Sequence, residues 1–168
     1  MIMDSLRYWV KEMHADGFRF DLASIFTRRS DGTVGEGPIF SDIATDPDLA
    51  HVRLIAEPWD AQGFYQLGRS FPGSTWLQWN SGFQDDVRRF VKGDRDMVAA
   101  LVQWMYGSEQ LFPDDLLHPY HFYQSINYVT SHDGFTLYDL ASYNEKHNTA
   151  NGHNNNDGSF QNYSWNCG

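Results

Sequence analysis

The sequence predicts an α/β fold with parallel strand pairing, and three observations support that class. Segments of strand character alternate with segments of helical periodicity, as in βα units. Asp21, Glu57 and Asp133 each follow a predicted strand, and the steps between them fit one and then about two βα units of roughly 30 or more residues. The chain lacks a Gly-rich dinucleotide fingerprint, which favours a (β/α)8 barrel over a doubly wound sheet.

The first part of the chain is predicted to form a helix, a strand and a loop. Apolar residues recur at helical spacing up to Met13, so we expect a helix that Asp4 caps and the Asp16–Gly17 pair ends. The segment 17–23, GFRFDLA, has the alternation of a strand. The segment 30–38 is rich in glycine and is predicted to be a loop.

The middle of the chain is predicted to contain a short helix and two strands. The helix is expected at 43–50 and is interrupted near Pro47. The apolar segment 51–57, HVRLIAE, is the second strand. Three glycines and a proline make 61–74 a loop instead of a helix, and a weaker strand follows at 75–79.

The last part of the chain is predicted to form two helices, one strand and a long loop. Helical periodicity covers 85–91 and 96–106. The segment 125–131, SINYVTS, is the last clear strand. From Asn144 onward the chain is rich in Asn and Gly and is predicted to be a loop.

Composition excludes several classes of partner. The formal net charge of −10 argues against nucleic acid and anionic membrane, whereas a neutral polyol is indifferent to it. Cys167 is the only cysteine, so an internal disulfide and a Cys-based metal site are excluded. The sequence has no apolar run of membrane-spanning length and no signal-peptide pattern, so we expect a cytoplasmic protein, or a plastid protein if the source is a plant.

Two carboxylates follow consecutive predicted strands in different surroundings. Arg19 and Asp21 share one strand face, and a nearby guanidinium favours the ionised carboxylate that a nucleophile requires. Glu57 precedes Pro58 and Trp59, and apolar surroundings raise the pKa of a glutamate, which suits a general acid. Such a pair is the pattern of a glycosidase. Taken singly, each residue is better explained structurally, Asp21 by an ion pair and Glu57 by a helix cap or a solvated strand end.

His132 and Asp133 follow the last predicted strand and could bind sugar hydroxyls or a metal. The chain has no HxH or HExxH pattern, so we expect neither a metal nor a cofactor. Aromatic residues cluster after Glu57, and some of them could be stacking platforms for sugar while at least half should pack internally. Trp9 and Trp104 lie on predicted helical faces and are expected in the core. The remaining histidines that we expect at the surface or in loops are His51, His118, His121, His147 and His153.

Together the segments GFRFDLA, IAEPWD and VTSHDG resemble three ordered conserved regions of glycoside hydrolase family 13, the α-amylase family. The segments WNSGFQDDVRRFVKGD, SHDGFTLYDLASYNEKHN and NYSWNCG are more similar still to isoamylases and glycogen-debranching enzymes. The resemblance implies a retaining mechanism on α-1,6 branch points of an α-glucan such as glycogen, limit dextrin or amylopectin. Asp21 would be the nucleophile, Glu57 the general acid/base, and Asp133 a third catalytic carboxylate that distorts the sugar. Arg19, His132 and Trp59 would contact substrate.

The resemblance also implies that the chain is part of a larger enzyme. A (β/α)8 barrel has about 250 residues, more than the 168 here, so residues 1–168 would supply roughly strands 4 to 7, without the flanking strands and β-domains. We therefore expect little activity from the chain alone. Relatives usually have a glutamate where this chain has Gln78, so a substrate contact is expected to change there. Two alternatives stay open: a family member that cuts α-1,4 links or transfers glucan chains, and an inactive glucan-binding piece.

Overall fold

The computed structural model describes residues 1–113 and 120–168, and it confirms the α/β class. The chain divides into two compact units. The first contains residues 1–79 and 107–126, and the second contains residues 80–106 and 127–168. Within the described residues, no helix combines the length and the apolar character needed to cross a membrane.

The first unit is built on a four-stranded parallel sheet in the order β1-β2-β3-β4. Its strands are β1 (Gly17–Phe20), β2 (Arg53–Ala56), β3 (Leu77–Trp79) and β4 (Ser125–Ile126). Asp21 follows β1, Glu57 follows β2, and Asp133 comes seven residues after the end of β4. The predicted order, in which the acids belong to a strand, its neighbour and the strand two further on, is therefore confirmed.

Among the described residues, two α-helices belong to the same unit. They are α1 (Ile2–Lys11) and α2 (Pro38–Thr45). The proposed cap by Asp4 is wrong, because α1 begins two residues earlier and Asp4 lies in its first turn. The helix expected at 43–50 is also displaced, because Pro38 has the fixed φ that favours a first helical turn and Pro47 disfavours helix in the residue before it.

An apolar core joins these helices to the sheet. The Trp76 ring lies 4.7 Å from that of Phe20, 5.3 Å from that of Phe40 and 5.8 Å from that of Phe71, as measured between centroids. Phe71 and Trp76 therefore belong to the core, which removes them from the candidate sugar platforms. Trp9, expected in the core, is half exposed on α1, so that prediction is wrong.

A close backbone approach explains why β1 begins with glycine. A Cβ at Gly17 would lie 2.3 Å from the carbonyl oxygen of Arg53, its register partner on β2. No side chain can occupy that space. The predicted strand 17–23 ends early because Leu22 adopts a left-handed conformation, with φ 46°.

The second unit contains three helices: α3 (Ser81–Lys92), α4 (Val98–Met105) and α5 (Leu137–Ser142). The Asn80 side chain caps α3 by accepting the Phe83 N–H at 2.9 Å. Trp104 packs against Gly82 and donates its indole N–H to Asp86 at 2.9 Å, which confirms the predicted core position of this tryptophan. Helix α5 is not predicted from the sequence pattern.

Strand lengths are shorter than the sequence predicts. The last strand, expected at 125–131, has only two paired residues, Ser125 and Ile126. The loop at 61–74 is confirmed, since the described structure has neither helix nor strand there. The segment from Asn144 onward is irregular apart from a single short 3-10 turn, as predicted.

Candidate active site

Two adjacent strands place Asp21 and Glu57 side by side. Phe20 and Ala56 are register partners at the carboxyl ends of β1 and β2, and the acids are the next residue on each strand. The Glu57 backbone N–H donates to the carbonyl of Phe20 at 3.0 Å, which continues the ladder by one step. The carboxyl ends of parallel strands share one edge of the sheet, so this arrangement follows directly from the strand pairing.

Arg19 lies between the two carboxylates. Its Nη1 donates to Oδ1 of Asp21 at 2.5 Å, and its Nη2 lies 2.7 Å from Oε1 of Glu57. A carboxylate oxygen of Asp21 lies within 4.8 Å of one of Glu57. One guanidinium thus contacts both carboxyl groups, and its positive charge offsets their repulsion when both are ionised.

The Arg19 guanidinium is also covered by an aromatic ring. Its Cζ lies 4.2 Å from the centroid of the Trp79 ring, on β3. A cation over the face of a tryptophan is attracted by the ring quadrupole, and its planar group is held in one orientation. Trp79 is therefore part of the structure that fixes the two acids.

The two acids differ sharply in exposure. The side chain of Asp21 is 60% exposed, whereas that of Glu57 is 1% exposed. Glu57 also accepts the Leu22 N–H on Oε2 at 2.8 Å. The surroundings of Glu57 are therefore buried but also charged and hydrogen-bonded, and not simply the apolar pocket that the sequence suggests.

A strained turn follows Asp21. Leu22 adopts a left-handed backbone conformation, which costs a residue with a side chain of order 1–3 kcal/mol. The turn directs the Leu22 N–H at Glu57, and the next residue, Ala23, donates its N–H to the Glu57 carbonyl at 2.9 Å. The two residues after Asp21 thus donate hydrogen bonds to both the side chain and the backbone carbonyl of Glu57.

Trp59 lies on the loop that follows Glu57. Its ring is stacked on that of Tyr65, with 6.1 Å between centroids and 12° between planes. The two residues also form an isolated antiparallel bridge. Trp59 is half-buried and Tyr65 is exposed, so the pair forms an accessible aromatic surface after the candidate acid.

His132 and Asp133 belong to the second unit and are both exposed. The His132 Nε2 lies 3.8 Å from Oδ1 of Asp133, and the Asp133 N–H donates to the Ser131 hydroxyl at 3.2 Å. The first unit brings Arg19, Asp21 and Glu57 together, and the second contains this pair. Among the other histidines, His118 lies outside the described residues, and the rest are exposed or half-buried as predicted: His51, His121, His147 and His153.

The expectation for Gln78 is wrong. This side chain is fully buried, accepts the Gly68 N–H on Oε1 at 2.8 Å and donates from Nε2 to the Gly68 carbonyl at 3.1 Å. It therefore holds the loop 61–74 in place through two hydrogen bonds to Gly68 and is not a substrate contact. An ionised glutamate here could not donate the second hydrogen bond.

An ion pair that the sequence does not predict lies beside the candidate site. Arg28 donates through Nε to Oδ2 of Asp60, the residue after Trp59. The ion pair with Arg28 holds the pKa of the Asp60 carboxyl below its usual range. Asp60 ends the EPWD segment, which was a usable signal, but its partner lies 32 residues earlier and no local pattern points to it.

Curated relatives match the chain over its whole length. It is 48% identical to isoamylase 3, chloroplastic, of Oryza sativa subsp. japonica, over 100% of the chain and 21% of the relative. It is 49% identical to a glycogen operon protein GlgX homolog of Mycobacterium bovis, over 100% of the chain and 23% of the relative. The chain is a homologue of the isoamylases. The resemblance to isoamylases that the sequence motifs indicate is thereby confirmed.

Solved structures agree with this relationship. The chain matches a pullulanase from Anoxybacillus sp. LM18-11 with a TM-score of 0.55 and 28% identity, over 82% of the chain and 20% of that structure. It matches a type I pullulanase from Bacillus subtilis, solved in complex with maltose, with a TM-score of 0.56 and 27% identity over the same shares. No family model matches the chain. The chain thus spans about a fifth of the length of the relatives it matches.

Proposed function

We propose that the protein containing this chain hydrolyses α-1,6 branch linkages of glycogen or a related α-glucan, with retention of configuration. The observation that carries the proposal is the Arg19 bridge between Asp21 and Glu57 at the ends of adjacent parallel strands. Homology to isoamylases, and likeness to a pullulanase solved with maltose, supply the substrate class.

The short separation of the acids supports a retaining route. Retaining glycosidases have carboxyl groups about 5–5.5 Å apart, whereas inverting ones leave about 6.5–9.5 Å for a water molecule. One carboxylate oxygen of Asp21 lies within 4.8 Å of one of Glu57, which is in keeping with the closer arrangement. The exposed carboxylate of Asp21 is accessible to an anomeric carbon, and buried Glu57 is the more constrained group.

The first step would form a covalent glycosyl-enzyme. Asp21 attacks the anomeric carbon, the bond from C1 to the branch oxygen O6 breaks, and Glu57 gives its proton to O6 so that the leaving chain departs as an alcohol. Arg19, which contacts both carboxyl groups, would orient them during this step.

The second step would return the enzyme to its starting state. Glu57, now ionised, removes a proton from water, the water oxygen bonds to C1, and the ester bond to Asp21 breaks. The product keeps the α configuration after two inversions. Asp133 and His132 are proposed to bind hydroxyls of the sugar at the cleavage point, and Trp59 to stack on a neighbouring glucosyl unit.

We also propose that residues 1–168 form part of a catalytic (β/α)8 barrel, whose activity belongs to the longer protein. The parallel order of β1 to β4, the likeness to the pullulanases and the fifth of relative length support this assignment. The plant relatives are named as chloroplastic, which supports a plastid location for a plant source and a cytoplasmic one otherwise.

The test gives the full-length protein amylose and a branched limit dextrin side by side, and resolves the products by chain length. We expect linear maltooligosaccharides from the dextrin and little change in amylose. Preferential shortening of amylose would indicate an α-1,4-acting relative, longer chains would indicate a transferase, and no reaction on either would indicate a glucan-binding protein; each outcome overturns the proposal. The Asp21→Asn variant, run in parallel, controls for contaminating amylase.

A further inference from the structure

An ion pair between Arg28 and Asp60, which we call the clasp, holds the loop after Glu57. We define the platform loop as residues 58–66. The side chain of Asp60 is 2% exposed, its Oδ2 accepts from Arg28, and its Oδ1 accepts the N–H groups of Gln62 and Phe64 at 2.9 and 3.0 Å. The Arg28 guanidinium in turn lies over the Phe64 ring, with 5.2 Å from Cζ to the centroid.

Further hydrogen bonds join the platform loop to the turn that follows Asp21. Within that turn, residues 23–28, the Ser24 N–H donates to the Trp59 carbonyl at 3.4 Å, and the Thr27 hydroxyl lies 3.1 Å from Oε1 of Gln66. Loops after the two candidate catalytic acids are thus connected to each other at several points, and Arg28–Asp60 is the charged connection.

The platform loop presents an ordered aromatic surface. Gly63 supplies the positive φ of the turn, at 83°, and the Asp60 N–H donates to the Phe64 carbonyl at 2.9 Å. The bridge between Trp59 and Tyr65 then sets their rings nearly parallel. Tyr65 is 54% exposed, so burial of apolar area explains its position poorly.

We propose that Tyr65 is a second glucan-stacking residue beside Trp59, and that Arg28–Asp60 positions both rings. This inference rests on the proposed function and names a further part of the same site. The Tyr65 ring packs on the Trp59 ring with 6.1 Å between centroids and 12° between planes, and its 54% exposure leaves it open to a glucosyl unit next to the one that Trp59 would bind. Asp60 and Arg28 are positioning residues, because they touch the loop and not the substrate.

The first test removes the Tyr65 ring in the full-length protein. We expect Tyr65→Ala to raise KM for branched limit dextrin by roughly 2- to 10-fold with kcat nearly unchanged, and Tyr65→Phe to keep the wild-type KM. Tyr8→Ala is the matched control, since Tyr8 is a half-exposed tyrosine that contacts Trp9 on α1. An unchanged KM in Tyr65→Ala would overturn the assignment of Tyr65.

The second test breaks the clasp and compares it with a similar ion pair. Asp46 accepts from Arg7 at 2.8 Å and also from a backbone N–H, so Asp46→Asn is a matched loss of a buried, arginine-paired aspartate. We expect both Asp60→Asn and Asp46→Asn to lower Tm. Only Asp60→Asn should raise KM, and it should add little to Tyr65→Ala in the double variant, because the two act on one surface.

The outcomes separate this inference from the proposed function. If the wild-type protein does not cleave branched glucan, the proposed function fails. If it cleaves, and Asp60→Asn and Asp46→Asn change KM equally, the clasp has only a structural role and the inference fails.

Discussion

Nη2 of Arg19 lies 2.7 Å from Oε1 of Glu57, and the glutamate side chain is only 1% exposed. When Glu57 is ionised, its buried charge depends on the cation beside it, because removing one partner of a buried ion pair costs roughly 3–5 kcal/mol. Since Arg19 also contacts exposed Asp21, one side chain links the stability of the site to its proposed chemistry.

Substitution of the two acids should give different kinetic defects. We expect Asp21→Asn to abolish the covalent intermediate, because an amide is a poor nucleophile. Glu57→Gln should slow the first step most for substrates with poor leaving groups, which need protonation, and least for an activated glycosyl fluoride. Rates with both substrate types, and mass spectrometry of the quenched protein, check this. Exposed Asp31→Asn is the control, and near-normal turnover by Asp21→Asn would refute the assignment.

Arg19→Lys should retain the charge but lose the bridge. An ammonium is a point charge and cannot present two parallel donors to two acids, so we expect kcat to fall by roughly 10²-fold, together with a lower Tm. Arg53→Lys, an exposed arginine on the neighbouring strand, should change neither quantity. Equal effects of the two substitutions on kcat would show that bridging is not needed.

Gln78→Glu should destabilise the protein. The ionised side chain would be buried without its hydrogen bond to the Gly68 carbonyl, and loss of such a bond at a buried site costs about 1–3 kcal/mol. Denaturant unfolding measures this change. Gln103→Glu, at an exposed residue of α4, should have a much smaller effect. A KM change without any change in stability would restore the substrate-contact interpretation.

The Arg28–Asp60 pair should make stability depend on acid pH. The Asp60 pKa is lowered from its ordinary 3.8, mainly by the side-chain hydrogen bond from Arg28, so the folded state holds this proton less tightly than the unfolded state. The contribution of this carboxylate to the free energy of unfolding is complete well above pH 3.8. It is lost as the pH falls through the lower pKa that Asp60 has in the folded state. The Tm difference between wild type and Asp60→Asn should therefore shrink below about pH 4. A constant difference down to pH 3 would argue against it.

The local arrangement of the acids could be predicted because it depends on short-range patterns. Strand alternation places Asp21 and Glu57 just after two strands, and parallel pairing puts those strand ends together. The exposure of Trp9 could not be predicted, because helical spacing alone does not say which residues of a face meet the core. The last strand, β4, is short because only two of its residues pair with the neighbouring strand β3. Local propensity does not encode how many residues find a partner.

The sequence by itself determined the α/β class, the order of the strands, the relationship to isoamylases and the residues that carry the candidate chemistry. Only the tertiary structure decided how Arg19 divides its donors between Asp21 and Glu57, that Gln78 clamps Gly68, and that Arg28 holds Asp60. The physical reason is range. Periodicity and turn chemistry act over a few residues and leave a trace in the sequence, whereas a buried polar side chain takes whichever partner the packed chain brings to it.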